Sequence, residues 1–147
     1  MHAWPDRRLL IVGVNAETGE PRVFDRESGV PLVDVVSASC AVPGIWPPVS
    51  IDGVRYVDGG VRTSTNLDLA AGCARVLVLA PMVDPGLEED VARLASAGGR
   101  VEVITPDEAS LSAFGDDPLA PSTRTPSAVA GRAQGLRAAD RVAELWA

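Results

Sequence analysis

The sequence predicts an α/β fold, and a strand–helix–strand unit in the second half of the chain is the main basis for it. ARVLVLAP is typical of a β-strand rich in β-branched residues and leucine, and RVEVITP is typical of a second strand. Between them, PGLEEDVARLASAGG places Leu87, Val91 and Leu94 at helical spacing and ends on glycines. A helix connecting two strands in this way forms a right-handed crossover and makes the strands parallel.

Two β-hairpins are predicted before that unit. RLLIVGVNAETGEPRVFD contains an apolar strand over Leu9–Val14, a turn at Thr18-Gly19 and a returning strand over Arg22–Phe24. In SIDGVRYVDGG, Asp52-Gly53 is a two-residue turn signal between alternating strands. The second strand of this hairpin therefore ends at Asp58.

Four helices complete the prediction. GVPLVDVVSASCAVPG is helical with Pro31 in its first turn, and NLDLAAG is a short helix capped by Asn66. TPDEASLSAFG begins with Thr105 as its cap, and the terminal segment TPSAVAGRAQGLRAADRVAELW has Val129 and Leu136 on its apolar face. Residues 1–147 contain no repeat and no linker-like stretch, so one compact domain is expected.

Charge and hydropathy exclude several classes of function. The net charge of −7 argues against binding nucleic acid, and it offers no basic patch for anionic membranes. The longest apolar stretch, Val76–Val83, is too short to span a bilayer. The apolar run after Arg7-Arg8 is too short for a signal peptide, so the expected location is the cytoplasm.

Histidine and cysteine are too few for the usual catalytic and metal sites. Cys40 and Cys73 are predicted to be buried free thiols, and no Cys-x-x-Cys or paired-histidine spacing indicates a metal or another cofactor. His2 is the single histidine, so a histidine-dependent triad would have to use it. Acid–base chemistry therefore falls to a carboxylate. Trp46, among prolines, is predicted to fill a gap in the core.

Asp58 is the candidate carboxylate because of the corner on which it stands. It ends a predicted strand and is followed by Gly59-Gly60, which permit positive φ angles and close approach of other backbone. Taken alone, Asp-Gly-Gly is more often only a turn. Ser37 and Ser39 are weak candidates for a nucleophile, since both lie on a predicted helix and no Gly-x-Ser-x-Gly occurs.

The block SASCAVPGIWPPVSIDGVRYVDGGVRTSTNLDLAAGCARVLVLAP resembles the patatin-like phospholipase family. The resemblance implies a partial α/β/α sandwich with a mostly parallel sheet, of which residues 1–147 are the C-terminal portion. It further implies a Ser–Asp dyad that hydrolyses lipid or fatty-acyl esters without a cofactor. Asp58 would be the catalytic base, positioned by Gly59, Gly60 and Asn66.

The half of the family's domain that carries Gly-x-Ser-x-Gly and the oxyanion loop is missing from this sequence. The chain would therefore supply the base but not the nucleophile. It would be a truncated fragment or half of a split enzyme whose partner is the N-terminal half. A non-catalytic descendant of the family is a further alternative. The competing hypothesis is a non-enzymatic α/β module that binds a partner through exposed sheet edges. A small-molecule-binding α/β domain rests on fold analogy alone.

Overall fold

The computed structural model describes residues 3–82 and 84–147, which form two compact units, Met1–Asn66 and Leu67–Ala147. His2, the one histidine, lies outside the described residues, as does Val83 at the end of the longest apolar stretch. The elements are β1 (Ile11–Asn15), β2 (Pro21–Phe24), α1 (Leu32–Ser39), β3 (Val49–Ile51), β4 (Val54–Asp58), β5 (Arg75–Leu79), α2 (Leu87–Ser96), β6 (Arg100–Ile104), α3 (Glu108–Phe114) and α4 (Arg124–Trp146). Short 3₁₀ turns occupy Arg26–Ser28, Gly59–Val61, Leu67–Ala70 and Pro121–Thr123.

The first unit contains a four-stranded antiparallel sheet in the order β2-β1-β4-β3. Asp52 and Gly53 join β3 to β4 with φ angles of 53° and 79°, as a type I′ hairpin turn requires. The β1–β2 connection likewise includes Gly19 at a φ of 74°. Both predicted hairpins are confirmed, and the apolar strand β1 has a hydrogen-bonded neighbour on each side.

This sheet corrects the prediction of a mostly parallel one. Among the described strands, β1–β2, β1–β4 and β3–β4 are antiparallel pairs, and β5–β6 is the parallel pair. The reason is local, because the few residues that join β1 to β2 and β3 to β4 can connect only antiparallel neighbours. The mixed α/β class is correct, but the described residues do not form a mostly parallel sandwich.

Helix α1 packs on the antiparallel sheet and closes the core of the first unit. The helix begins after Pro31, whose φ of −57° already suits it. The core consists of Phe24, Val30, Val35, Ala38, Ile51 and Tyr56. The rings of Phe24 and Tyr56 meet edge to face with their centroids 5.3 Å apart, a favourable arrangement for two aromatics. β4, which ends at Asp58, is therefore packed against a helix.

The second unit contains the predicted strand–helix–strand crossover. β5 and β6 pair in parallel from Arg75↔Arg100 to Leu79↔Ile104, with α2 between them in the chain. The core of this unit consists of Leu67, Val76, Val78, Ala80 and Leu94. The alternation of exposed and buried residues along β5 shows that its apolar side chains divide between two faces.

Two details of the predicted helices are wrong. Helix α3 begins at Glu108 and is capped by Asp107, whose carboxylate accepts from the Ser110 N–H at 2.9 Å, so Thr105 is not the cap. On α4, the predicted apolar face is 65% exposed at Val129 and 64% exposed at Leu136. The buried residues of α4 are Ala138 and Leu145, because contacts with neighbouring elements, and not hydropathy alone, decide which side is covered.

The predicted burial of three other side chains is also wrong. Cys40 and Cys73 are free thiols, as predicted, but both are exposed. Cys40 stands at the end of α1, where the chain leaves the core. Trp46 is 61% exposed and does not fill the core. In residues 3–82 and 84–147, no helix has the length and apolar character needed to cross a membrane.

Candidate active site

Asp58 lies at the end of β4 and begins the 3₁₀ turn Gly59–Val61, as its sequence context predicts. Its Oδ1 atom accepts a hydrogen bond from the Gly60 N–H at 2.7 Å. Its Oδ2 atom accepts no hydrogen bond from any of the described residues, and the residue is half-buried. One carboxylate oxygen therefore holds the corner, and the other takes no part in the turn.

The residue opposite Asp58 on the neighbouring strand has no side chain, and the Phe24 and Tyr56 rings lie over that position, where a Cβ atom would meet them at 3.3 and 3.5 Å. Asp58 stands directly opposite Gly13 of β1 in the antiparallel register. Residues directly opposite each other in such a pair project to the same face, so glycine means that no side chain crowds Asp58 from β1. An isolated glycine in an apolar strand is the sequence signal for such a position, although the site prediction did not include Gly13.

A second contact fixes the backbone of Asp58 from the other side. The Asp58 N–H donates to the carbonyl oxygen of Ala41 at 3.1 Å. Ala41 is buried and follows closely after helix α1. Because the bond joins residues far apart in sequence, no local pattern marked Ala41 as part of the site. The end of α1 and the end of β4 are thus held together.

The two glycines serve the corner in different ways. A Cβ atom on Gly59 would lie 2.4 Å from the carbonyl oxygen of Val12, so only glycine fits against that backbone. A Cβ atom on Gly60 would meet Asp58 Oδ1 at 2.9 Å. Neither glycine has a positive φ. Of the two reasons that the sequence suggested for glycine here, close approach is the one that applies.

Asn66 is brought to the same corner. Its side-chain Nδ2 donates to the carbonyl oxygens of Gly59 at 3.1 Å and Thr63 at 3.0 Å, and its own N–H donates to Thr63 Oγ1 at 2.8 Å. Asn66 adopts a φ of 48°, in the left-handed region that asparagine tolerates. Asp58, Gly59, Gly60 and Asn66 therefore belong to one hydrogen-bonded loop.

The expected capping role of Asn66 differs in detail. Its side chain reaches back toward Gly59, and the turn that follows, Leu67–Ala70, is a 3₁₀ turn and not an α-helix. Its Oδ1 accepts from Arg62 at 3.1 Å. The polar ends of the Asn66 side chain are therefore used to close the loop after Asp58.

The two helical serines show no arrangement typical of a nucleophile. Ser37 donates through Oγ to the Val33 carbonyl at 2.8 Å, within helix α1, and Ser39 is the last residue of the same helix. In the described part of the chain, no three His, Cys, Asp or Glu side chains lie together in a way that could hold a metal ion. The chemistry that the described corner offers is that of a carboxylate oxygen that takes no part in the turn.

A comparison with protein families matches residues 6–71 to the patatin-like phospholipase family. This range contains all four predicted site residues and the strand β1 that pairs with Asp58. The match confirms the patatin-like resemblance for this part of the chain. It ends before β5, so the resemblance of the later residues stays a prediction. Among curated proteins, no relative matches the chain.

Proposed function

We propose that this patatin-like chain supplies the catalytic base of a serine acyl hydrolase that acts on a lipid or fatty-acyl ester. The family match over residues 6–71 supports lipid hydrolysis as the class of reaction. One observation carries the proposal further: one carboxylate oxygen of Asp58 has no hydrogen-bond partner among the described residues, while the other fixes the side chain on a strand-end corner. A base needs both a fixed position and an oxygen able to take a proton.

In the proposed reaction, Asp58 accepts the proton of a serine hydroxyl as the serine oxygen attacks the ester carbon. The ester bond then breaks, and the same proton passes to the oxygen of the leaving alcohol. Water releases the acyl group from the serine in a second round with the same base. A dyad of this kind needs no histidine, which suits a chain whose single histidine, His2, is not near Asp58 in sequence.

The nucleophile would come from outside this sequence. We infer that residues 1–147 are the C-terminal portion of a patatin-like domain, and that an N-terminal half with Gly-x-Ser-x-Gly and the oxyanion donors completes an α/β/α sandwich. Donors for the developing oxyanion usually contribute a large share of the rate, so the chain alone should be nearly inactive toward esters.

The surroundings of Asp58 support this role. Gly13 contributes no side chain opposite Asp58, while Ala41 and Gly60 bind the backbone and one oxygen of the corner. Asn66 closes the loop that follows. A fixed backbone with a side-chain oxygen that takes no part in the turn is the arrangement expected for a preorganised base.

A non-catalytic α/β module is the second candidate, and one observation favours it. The Asp58 carboxylate caps a turn through Gly60, which is a sufficient structural reason for an aspartate at this position. In this alternative, the chain binds a partner and no serine reacts in any context. The two proposals differ in whether loss of the Asp58 carboxylate charge lowers the rate of ester hydrolysis.

The test compares Asp58→Asn with Asp52→Asn in the chain extended by any in-frame upstream segment that encodes Gly-x-Ser-x-Gly. Asparagine at 58 retains an oxygen for the Gly60 N–H but cannot take a proton, so kcat for p-nitrophenyl ester hydrolysis should fall about 10²- to 10⁴-fold. Asparagine before Gly53 still gives a favourable hairpin turn, so Asp52→Asn should stay within about twofold of the parent.

Labelling with a fluorophosphonate probe provides the complementary measurement. The proposal predicts labelling of the upstream serine in the extended chain. Normal hydrolysis by Asp58→Asn would exclude Asp58 as the base, and absence of any reactive serine in the native source would favour the non-catalytic module.

A further inference from the structure

An exposed apolar tip follows helix α1. We define the tip as Val42, Ile45 and Trp46, which are 40%, 52% and 61% exposed. The N–H groups of Ile45 and Trp46 both donate to the Val42 carbonyl, at 3.0 and 2.9 Å, so the backbone of the tip is a closed turn. Pro47-Pro48 then fixes an extended exit. The apolar side chains are therefore presented by an ordered turn.

Trp46 differs from the partly buried tryptophan of the same unit. The indole N–H of Trp4 donates to the Val30 carbonyl at 2.8 Å, and Trp4 is partly buried. The indole of Trp46 is exposed and has no hydrogen-bond partner among the described residues. An apolar ring with an unused donor suits the boundary between water and lipid, where one part of the side chain is apolar and the other stays hydrated.

The segment that contains the tip carries no charge of its own. Residues 35–51 contain no charged side chain, although charged residues make up 22% of the chain. The whole chain carries a net charge of −7, which repels anionic lipids and nucleic acid. We propose that the tip docks on a lipid surface of zwitterionic, electrically neutral head groups. Burial of apolar area, without charge attraction, would drive the contact.

The tip is connected to the candidate base. Ala41, which directly precedes the tip, accepts the hydrogen bond from the Asp58 N–H at 3.1 Å. Docking would therefore hold the Asp58 corner next to the lipid. This last step rests on the proposed function, whereas docking itself does not require Asp58 to act as a base.

The experiment measures partitioning onto large vesicles of phosphatidylcholine by sedimentation, with the chain extended by any in-frame upstream segment that encodes Gly-x-Ser-x-Gly. Binding lost on extension would overturn the proposal and assign the tip to contact with that segment. The double variant Ile45→Ala/Trp46→Ala should bind at least about tenfold more weakly, because it removes most of the apolar area of the tip. The matched control is Val129→Ala/Leu136→Ala, which truncates two residues of α4 that are exposed to a similar degree. The control should bind as the parent does.

A second measurement does not depend on a double variant that folds well. Brominated phosphatidylcholine should quench the fluorescence of the parent chain, and the quenched component should disappear in Trp46→Phe, which leaves Trp4 and Trp146 as the remaining tryptophans. Equal quenching in Trp46→Phe would overturn the proposal, because another tryptophan would then be the one at the lipid.

Lipid charge and self-association provide the remaining outcomes. Replacing half of the lipid by phosphatidylglycerol should weaken binding or leave it unchanged; binding that requires phosphatidylglycerol would overturn the proposal. A dimer in light scattering that Ile45→Ala/Trp46→Ala dissociates, with no vesicle binding by the parent, would assign the tip to a second copy instead. Asp58→Asn should bind vesicles as the parent does, so failure of docking and failure of the catalytic proposal are distinguishable.

Discussion

Asp58 and Asp107 occupy equivalent local positions but have opposite surroundings. Each follows extended backbone and caps a turn or helix, Asp58 through the Gly60 N–H at 2.7 Å and Asp107 through the Ser110 N–H at 2.9 Å. The second oxygen of Asp107 is bound by Arg137 at 2.5 Å, whereas that of Asp58 has no partner among the described residues. A capping aspartate is thus compatible with a structural or a chemical role, and the two corners differ in what binds the second oxygen.

The largest effect on folding is expected from Gly59→Ala, which breaks the Asp58 corner. Its Cβ atom would lie 2.4 Å from the Val12 carbonyl oxygen, so the turn or β1 must move. We expect the free energy of unfolding to fall by about 3 kcal/mol in denaturant titrations. The control is Gly131→Ala on α4, where a Cβ atom would meet nothing within 4 Å. This variant should raise the free energy of unfolding by about 0.5–1 kcal/mol, because alanine favours a helix more than glycine does. Equal effects of the two variants would contradict the close packing of Gly59.

Acid should lower the free energy of unfolding through Asp107, whose pKa is lowered in the folded chain. The hydrogen bond from the Ser110 N–H, followed by the bond from Arg137, holds the pKa of Asp107 below its usual 3.8. The Asp107 carboxylate therefore binds a proton less readily in the folded state than in the unfolded state. Its contribution to the free energy of unfolding is complete at pH values above the usual pKa and is lost as the pH falls through the lowered pKa.

The check is the unfolding midpoint in denaturant of the parent and of Asp107→Asn at about pH 6 and about pH 3. The parent should be the more stable at the higher pH, and the difference between the two proteins should shrink in acid. A difference that grows as pH falls would contradict a lowered pKa at Asp107.

The smallest effect is expected from Gly60→Ala, the neighbour of Gly59. Its Cβ atom would meet only the Asp58 carboxylate, with Oδ1 at 2.9 Å, and a side-chain end can move aside. The free energy of unfolding should change by less than about 1 kcal/mol. A loss as large as that of Gly59→Ala would show that the Asp58 carboxylate cannot move, and that its contact with Gly60 is a rigid part of the fold.

Features encoded by neighbouring residues could be predicted from the sequence. The turn at Asp52-Gly53 and the crossover between β5 and β6 depend on local geometry and on periodicity, and both were predicted. The antiparallel sheet was missed at the pairing of β1 with β4, which joins strands far apart in the chain. Burial was missed for the same reason at Trp46, since hydropathy does not say what is available to cover a side chain.

The candidate site likewise contains residues that could be predicted from the sequence and residues that could not. Asp58, Gly59, Gly60 and Asn66 lie close together in the chain and could be grouped from the sequence, and their hydrogen bonds bring them together. Gly13 and Ala41 reach Asp58 through strand register and a long-range hydrogen bond. No local pattern encodes those contacts, so these two positions became visible only in the folded chain.

The most direct test of the central claim exchanges each capping aspartate for asparagine in the serine-containing extended chain. Ester hydrolysis and the thermal midpoint are measured for Asp58→Asn and Asp107→Asn. Asp58→Asn should lose about 10²- to 10⁴-fold in kcat with an unchanged midpoint, because only its proton-accepting oxygen is altered. Asp107→Asn should keep its kcat and show a lower midpoint. Wild-type hydrolysis by Asp58→Asn, or an equal loss of kcat in folded Asp107→Asn, would contradict the assignment of Asp58 as the base.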